Sequence, residues 1–247
     1  MKVATWNVNG IRARHEQFAQ WAVSEKPDVI CLQEIKAKLD QIPQSCSIEG
    51  YSCYWHGAGG YSGVALHVSR DLAAQVGYTH PDFDHETRIV QAQIEDTVFT
   101  SVYVPNGGKD FEAKISFINA LIAYAADIRN RGLKLVLCGD MNIARTEMDV
   151  HPKERKPRSI GQLPQERELL ERLIAEGGLV DVGRMLYPED ENYFSWWAPW
   201  RNMKERNIGW RLDYVLATES LAKKAVSCPS QREIGTSDHA PVVATFG

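Results

Sequence analysis

The chain has no apolar run long enough to cross a bilayer, which takes roughly 20 residues in a helix. It also lacks Gly/Ser tracts, Pro-rich stretches and low-complexity segments, so nothing reads as a linker or a disordered arm. No internal repeat recurs at a solenoid or propeller period. Its five cysteines, Cys31, Cys46, Cys53, Cys138 and Cys228, are odd in number and contain no CxxC pair. Neither a disulfide framework nor a cysteine-based zinc site is therefore expected. Cys31 and Cys138 fall inside apolar runs, where free cysteine behaves as a small buried hydrophobe. The opening Met1–Trp6 goes straight into a strand-like alternation without the long apolar segment of a signal peptide. That predicts a cytoplasmic protein. No large basic excess exists either, the net charge being −4, so charge distribution must carry any nucleic-acid argument.

What the chain does have is a globular composition, 44% hydrophobic and 24% charged over 247 residues. Strand patterns cover Lys2–Trp6, Asp28–Gln33, Tyr51–His56, Gly63–Val68, Arg88–Ile94, Thr97–Val104, Leu133–Cys138, Arg211–Ala217 and Pro241–Phe246. The Glu95-Asp96 pair between two alternating runs predicts an antiparallel hairpin. Helical spacing predicts helices over about Arg14–Glu25, Asp110–Asn130 and from Pro164 to near Gly177-Gly178. Strands outnumber helices and the middle of the chain is a meander. Two sheets packed face to face with helices outside fit this order better than a doubly wound parallel sheet.

Polar signatures sit where the apolar strands stop: Trp6-Asn7, Gln33-Glu34, Tyr103-Val104-Pro105-Asn106, Gly139-Asp140-Met141-Asn142, Arg211-Leu212-Asp213-Tyr214 and Ser237-Asp238-His239. They span the chain from residue 6 to residue 239, so one site built from them predicts a single domain over residues 1–247. Such a rim can hold a metal and split a phosphate ester, which needs a cation, an activated water and help for the leaving oxygen. With carboxylates and amides in place of a His/Cys set, a hard ion such as Mg2+ is favoured. Glu34 reads as a metal ligand or a turn capper. Asp140 and Asn142, alternating after an apolar strand, read as base and phosphate holder or as an Asx turn. His239 needs a carboxylate to orient and charge it, and Asp213 is a candidate partner. Asn7 can bond a catalytic acid, while Asn9-Gly10 reads as a metal-shell residue or a tight turn. Tyr103 reads as a phosphate contact or an ordinary sheet aromatic.

Charge is patchy. Lys153-Glu154-Arg155-Lys156-Pro157-Arg158 is a basic loop, and Arg201, Lys204, Arg206 and Arg211 form a second basic stretch among Trp197, Trp200 and Trp210. Cations interleaved with tryptophan suit phosphates and exposed sugars or bases. Acidic residues gather in Asp82-Phe83-Asp84-His85-Glu86 and Glu189-Asp190-Glu191.

These signatures occur in family order. With Trp6-Asn7-Val8-Asn9-Gly10-Ile11-Arg12, Leu32-Gln33-Glu34-Ile35-Lys36, Gly60-Tyr61-Ser62-Gly63-Val64, Leu163-Pro164-Gln165-Glu166-Arg167 and Asn207-Ile208-Gly209-Trp210, the chain resembles the exonuclease III branch of the apurinic/apyrimidinic endonucleases, in the endonuclease/exonuclease/phosphatase superfamily. The resemblance implies a four-layered α/β sandwich of two mixed, mainly antiparallel sheets, with the site at one end. It implies a Mg2+-dependent DNA repair nuclease, Mn2+ able to substitute, that cuts 5′ to an abasic site and leaves a 3′-hydroxyl. Companion 3′→5′ exonuclease and 3′-end-cleaning activities are implied too. The metal shell would be drawn from Glu34, Asn7, Asn9, Asp140, Asn142, Asp238 and His239, with Glu34 the main ligand. Asp140 would activate water, helped by Asn7 and Asn142; Tyr103 and His239 would contact the phosphate, and Asp213 would hold His239. Trp196, Trp210 and Leu212 match a pocket for a flipped-out baseless sugar. Arg12, Tyr61, Asn106, Lys109, Lys156 and Trp200 fall where family members grip double-stranded DNA, and a monomer is expected. Lys109 stands where some relatives carry Arg and Trp200 where some carry Met, which leaves the balance of incision and exonuclease action open; Asn9 stands where some carry Asp, which weakens the case for it as a metal ligand. Another phosphoesterase of the superfamily would share Glu34, Asp140, Asn142, Asp238 and His239 but lack the Trp210–Tyr214 run. A non-catalytic DNA-binding module would have no need of Glu34, Asp140 and His239 together.

Overall fold

The computed structural model describes residues 1–247. The elements run β1 (Lys2–Asn7), α1 (Ile11–Glu25), β2 (Val29–Gln33), β3 (Tyr51–His56), β4 (Val64–Ser69), β5 (Tyr78–Thr79), β6 (Ile89–Ile94), β7 (Thr97–Tyr103), α2 (Phe111–Asn130), β8 (Lys134–Asp140), α3 (Pro164–Gly177), β9 (Leu179–Asp181), α4 (Val182–Leu186), β10 (Asp213–Thr218), α5 (Glu219–Ala222), β11 (Ala225–Ser227) and β12 (Val242–Phe246). They form two six-stranded sheets, β11-β12-β1-β2-β4-β3 and β5-β6-β7-β8-β10-β9. Only β1–β2 and β7–β8 pair in parallel, each joined by a helical crossover, α1 and α2. The expected hairpin is present, with Ile94 opposite Thr97.

Strand parity explains the layers, because successive side chains point to opposite faces. Ala4, Trp6, Ile30 and Leu32 pack outward against Phe18, Trp21 and Ala22 of α1. Leu135, Leu137, Tyr214 and Leu216 pack against Ile118, Leu121 and Ile122 of α2 and Leu169, Leu170 and Leu173 of α3. Between the sheets lie Val3, Val29, Cys31, Phe99, Val136, Cys138, Val215, Val242 and Ala244. The result is helix, sheet, sheet, helix: the expected four-layered sandwich, with Cys31 and Cys138 buried in its centre.

Local departures have local causes. Helix α1 starts at Ile11 rather than Arg14, because Asn9 and Gly10 take left-handed conformations and turn β1 directly into it. Strand β8 runs on through Asp140. Gly139 permits this: a Cβ there would lie 1.8 Å from the Val102 carbonyl oxygen. Strand β10 begins at Asp213 rather than Arg211. The backbone before it is diverted, as the amides of Leu212 and Asp213 both donate to Ser195 Oγ (3.0 and 2.9 Å) and Arg211 N donates to Asp149 O (2.8 Å). The short elements β5, β9, α4, α5 and β11 carry too few residues to leave a periodic signal.

One expectation is corrected. Arg211 does not belong to the basic surface; it is 1% exposed and sealed in by carboxylates. Its Nε meets Asp149 Oδ1 at 2.7 Å, and Nη1 and Nη2 meet the two Asp181 oxygens at 2.9 and 2.8 Å. Trp197 of the same tryptophan-rich stretch is likewise core.

Candidate active site

The inter-sheet layer turns polar toward one end. In mid-layer, Thr5 Oγ1 donates to Gln33 Oε1 (3.0 Å), and Gln33 Nε2 crosses between sheets to Ser101 Oγ (3.1 Å). One step further along the same parity come Asn7, Tyr103, Asp140 and Asp213. Asp140 faces Asp213 across β8–β10 and Tyr103 across β7–β8. The strand ends bring these residues together because each is the terminal inward position of its strand, the last in β1, β7 and β8 and the first in the antiparallel β10.

Asn7 is fully buried, and its Nδ2 donates to both Glu34 Oε1 and Asp140 Oδ2, at 2.9 Å each. Its Oδ1 accepts from Asn9 N (3.0 Å). Asn142 N donates to Asp140 Oδ1 (2.8 Å), while its Nδ2 donates to Val104 O (2.9 Å) and its Oδ1 accepts from Asn106 (3.1 Å). His239 Nδ1 lies 2.8 Å from Asp213 Oδ2, and Nε2 lies 3.9 Å from Asp140 Oδ2. Asp238 accepts from Asn9 Nδ2 (2.8 Å) and Trp196 Nε1 (3.1 Å). Glu34, Asn9 and Asn142 all sit at positive φ. For Glu34 in particular that conformation is strained and held by its neighbours, a pattern that clusters at functional sites.

Two supporting cations carried no sequence signal strong enough to single them out. Lys36 Nζ reaches Glu34 Oε2 (2.5 Å) and Asn9 Oδ1 (2.7 Å). Lys114 is fully buried; its Nζ pairs with Glu166 (2.5 Å) and donates to the carbonyls of Asn142 (2.8 Å) and Asn106 (3.2 Å). The alternation Glu34-x-Lys36 is the one hint the sequence offered for the first. For the second there was none, because a lysine in a helix reads as solvent-facing until its neighbours are known. Arg88, 2% exposed, stacks over the rings of Tyr103 (4.9 Å) and Tyr61 (5.3 Å) and so packs Tyr103 in place.

Electrostatics sort the groups. Burial raises the Asp140 carboxyl well above its usual range; Asp213 and Glu34 push the same way and His239 opposes them. For His239, burial alone would lower the pKa, but Asp213, Asp140 and Asp238 overcome it and raise it to about 10. The three carboxylates thus favour the imidazolium form of His239. Burial, then Glu34 and Asp140, raise Tyr103, which keeps its hydroxyl proton. Glu34 and Asp238 stay charged: burial opposes ionisation, and His239 with local donors outweighs it.

Ligand atoms of Glu34, Asp140 and His239 lie within 4.8 Å of one another. Oxygen donors dominate the cluster, so the residues suit a hard cation. The Lys36 ammonium on Glu34 already marks where positive charge is drawn.

Beside the cluster, Trp196 and Trp210 meet edge to face (5.5 Å, 79°), and the Trp196 ring lies 6.4 Å from that of His239. Both are half-buried, and Leu212 is buried behind them. Arg12, Asn106, Lys109 and Lys156 are exposed, as are Tyr61 and Trp200, at 52% and 58%. A cavity of about 860 Å³ lined by Tyr61, Tyr103, Asn106 and Lys109 opens on one side of the site. A smaller one of about 360 Å³, lined by Asn9, Trp200, Lys204 and Asp238, opens on the other.

A buried carboxylate–imidazolium cluster at the end of a two-sheet sandwich, with oxygens suited to a divalent cation, defines a phosphoester-hydrolase type of site. Residues 4–239 match the model of the Endonuclease/Exonuclease/phosphatase family, and the chain belongs to that family. It is 34% identical to the exodeoxyribonuclease of Bacillus subtilis (strain 168), covering 98% of both chains. Among solved structures it is similar to the 3′ phosphatase NExo from Neisseria bound to a product DNA hairpin, with 30% identity, a TM-score of 0.90 and coverage of 100% of this chain and 99% of that one. It is also similar to an AP endonuclease from Archaeoglobus fulgidus, with 29% identity, a TM-score of 0.87 and the same coverage.

Proposed function

We propose that the protein hydrolyses the DNA phosphodiester 5′ to an abasic site in a Mg2+-dependent reaction, leaving a 3′-hydroxyl. It is a hydrolytic DNA repair nuclease of its family. The observation that supports the abasic substrate is the wall of Trp196, Trp210 and Leu212 standing against His239 and Asp238. A flipped deoxyribose without its base is small and largely apolar, and suits such a wall, where a complete nucleotide would be too large.

The chain's own groups divide the chemistry. Asp140, its proton affinity raised by burial, takes a proton from the attacking water. Asn7 and Asn142 hold its two oxygens and so fix its direction. His239, charged and oriented by Asp213, donates to a phosphoryl oxygen, as does the Tyr103 hydroxyl. Glu34, with Asp238 and Asn9 nearby, would hold Mg2+ where the Lys36 ammonium now meets its carboxylate. When bound, Mg2+ offsets charge on the phosphate and on the leaving oxygen. Arg12, Tyr61, Asn106, Lys109, Lys156 and Trp200 hold the two DNA strands on either side. The reading carries with it duplex DNA as partner, a monomer and a cytoplasmic location. No helix is long and apolar enough to cross a membrane.

The test is duplex DNA carrying one internal abasic analogue, incubated with Mg2+ and, separately, with EDTA. Incision 5′ to the lesion in Mg2+ alone is expected. Removal of terminal nucleotides without internal incision would replace this reading with that of a predominantly 3′→5′ exonuclease.

A further inference from the structure

A second group of metal-ligand atoms lies apart from the nuclease cluster, where the acidic run Asp82–Glu86 meets the edge of the sandwich. His56 ends β3, His80 follows β5 and Asp84 lies in the turn before β6. Strands β3 and β5 are the edge strands of different sheets. They face one another there, with Tyr54 and Tyr78 stacked at 4.8 Å and the Tyr78 hydroxyl donating to Ser52 O (2.7 Å). One ligand atom from each of His56, His80 and Asp84 lies within 4.8 Å of the other two.

What distinguishes this trio from a chance surface cluster is that the atoms behind the ligand atoms are already held. Asp84 Oδ1 accepts from the amides of Arg88 (2.8 Å) and Ile89 (3.1 Å), which leaves Oδ2 facing the histidines. His80 Nδ1–H donates to Ile89 O (3.0 Å), so Nε2 carries the lone pair, and the Tyr54 hydroxyl donates to it (2.9 Å). His56 Nε2 lies 2.5 Å from Asp84 Oδ2, and the two imidazole rings stack at 3.8 Å. Backbone partners that fix a histidine tautomer and one carboxylate oxygen are the usual supports of a metal site. All three residues are half-buried and still reachable from solvent. Burial opposes ionisation of Asp84, but His56 and the two amides outweigh it and keep the carboxylate charged.

We propose that His56, His80 and Asp84 form a binding site for a borderline transition-metal ion, Zn2+ in the first instance, that ties the two sheets together at their β3–β5 edge. Two imidazoles and one carboxylate are a zinc-type donor set and a poor one for Mg2+. Three protein ligands leave a fourth position for water. Loading replaces the His56 Nε2–Asp84 Oδ2 hydrogen bond and the Tyr54 hydroxyl at His80 Nε2, with His56 carrying its proton on Nδ1. The site is distinct in residues and in donor type from the oxygen-rich cluster around Glu34. Through Asp84 and Arg88 the tie also firms the packing over Tyr61 and Tyr103.

Chelator-treated full-length protein would be titrated with Co2+, whose visible absorption reports imidazole coordination, with excess Mg2+ present to occupy the oxygen-rich cluster. Tight binding of a single equivalent is expected, together with a rise in melting temperature on adding Zn2+. His56→Gln and Asp84→Asn should each weaken Co2+ by about tenfold or more, whereas Glu34→Gln should leave it unchanged. Asp84→Asn keeps an oxygen for the Arg88 and Ile89 amides, so it probes the ligand without removing the turn. Loss of Co2+ binding in Glu34→Gln with retention in both His56→Gln and Asp84→Asn would put the ion in the nuclease cluster and overturn the proposal. Absence of tight Co2+ binding in the unaltered protein would overturn it equally.

Discussion

Arg211 and Asp213 are separated by a single residue and face two buried charged clusters of opposite design. On the Arg211 side, Asp149 and Asp181 are matched by Arg184, Arg211 and Arg145, with contacts from 2.5 to 3.3 Å. On the Asp213 side, Asp140, Asp213 and Asp238 share one buried cation, His239, and Asp213 Oδ1 has no hydrogen-bond partner in the protein. Burial alone would raise the Asp149, Asp181, Asp140 and Asp238 carboxyls. The guanidinium groups reverse it for Asp149 and Asp181, whose pKa values fall. At Asp140 burial prevails and the pKa rises. A compensated cluster holds the fold, while an uncompensated one keeps a base near the pH at which it works. The two clusters differ in cation supply, with burial common to both.

The sharpest way to break this comparison is Asp140→Asn. It should lower incision by about 10³-fold or more, roughly 4 kcal/mol in the barrier. Because the folded-state pKa of Asp140 is raised, its charge opposes folding at neutral pH. Thermal melts at pH 7 should therefore show the variant at least as stable as the parent. A clear fall in melting temperature would place Asp140 with the structural carboxylates. The mirror experiment is Arg211→Met, which strands Asp149 and Asp181 without their central cation. Urea unfolding should show a loss of about 3–5 kcal/mol, larger than any change in turnover of the folded fraction. Part of this is pH-linked: the depressed carboxyls stabilise the fold above about pH 4, and that contribution is lost below it as they protonate.

A smaller effect sharpens the rule with a group that has no charged partner at all. His67 is fully buried, packs edge-on to Trp55 at 4.6 Å and hydrogen-bonds through neither ring nitrogen. Burial lowers its pKa to about 4. Between pH 6.5 and 4 the unfolded chain then binds the extra proton, so stability falls as the pH drops through that window. The full loss is about 3 kcal/mol. His67→Phe should flatten the pH dependence of stability there. An unchanged slope would mean that His67 takes up its proton without unfolding.

Legibility in the sequence followed the same division. The long strands and α1, α2 and α3 were readable because their apolar periods are uninterrupted. Glu34, Asp140, Asp213 and His239 stood out because each breaks an apolar run at its end. Arg211 was misread because a charged residue among tryptophans looks like surface. Only Asp149 and Asp181, 62 and 30 positions earlier in the chain, reveal it as core. The role of Lys114 was invisible for the same reason, and that of Lys36 was only hinted at by its alternation with Glu34.

By itself, the amino-acid order determined the two-sheet sandwich, since alternating apolar positions dictate which face of each strand is buried. It also determined which polar residues reach the end of the inter-sheet layer. The tertiary structure decided how those residues share charge. A carboxyl's pKa depends on how many cations lie within a few ångströms and how much water is excluded. Both quantities arise only when strands distant in sequence pack together. That is why two aspartates of identical chemistry, Asp149 and Asp140, become a structural anchor and a candidate base.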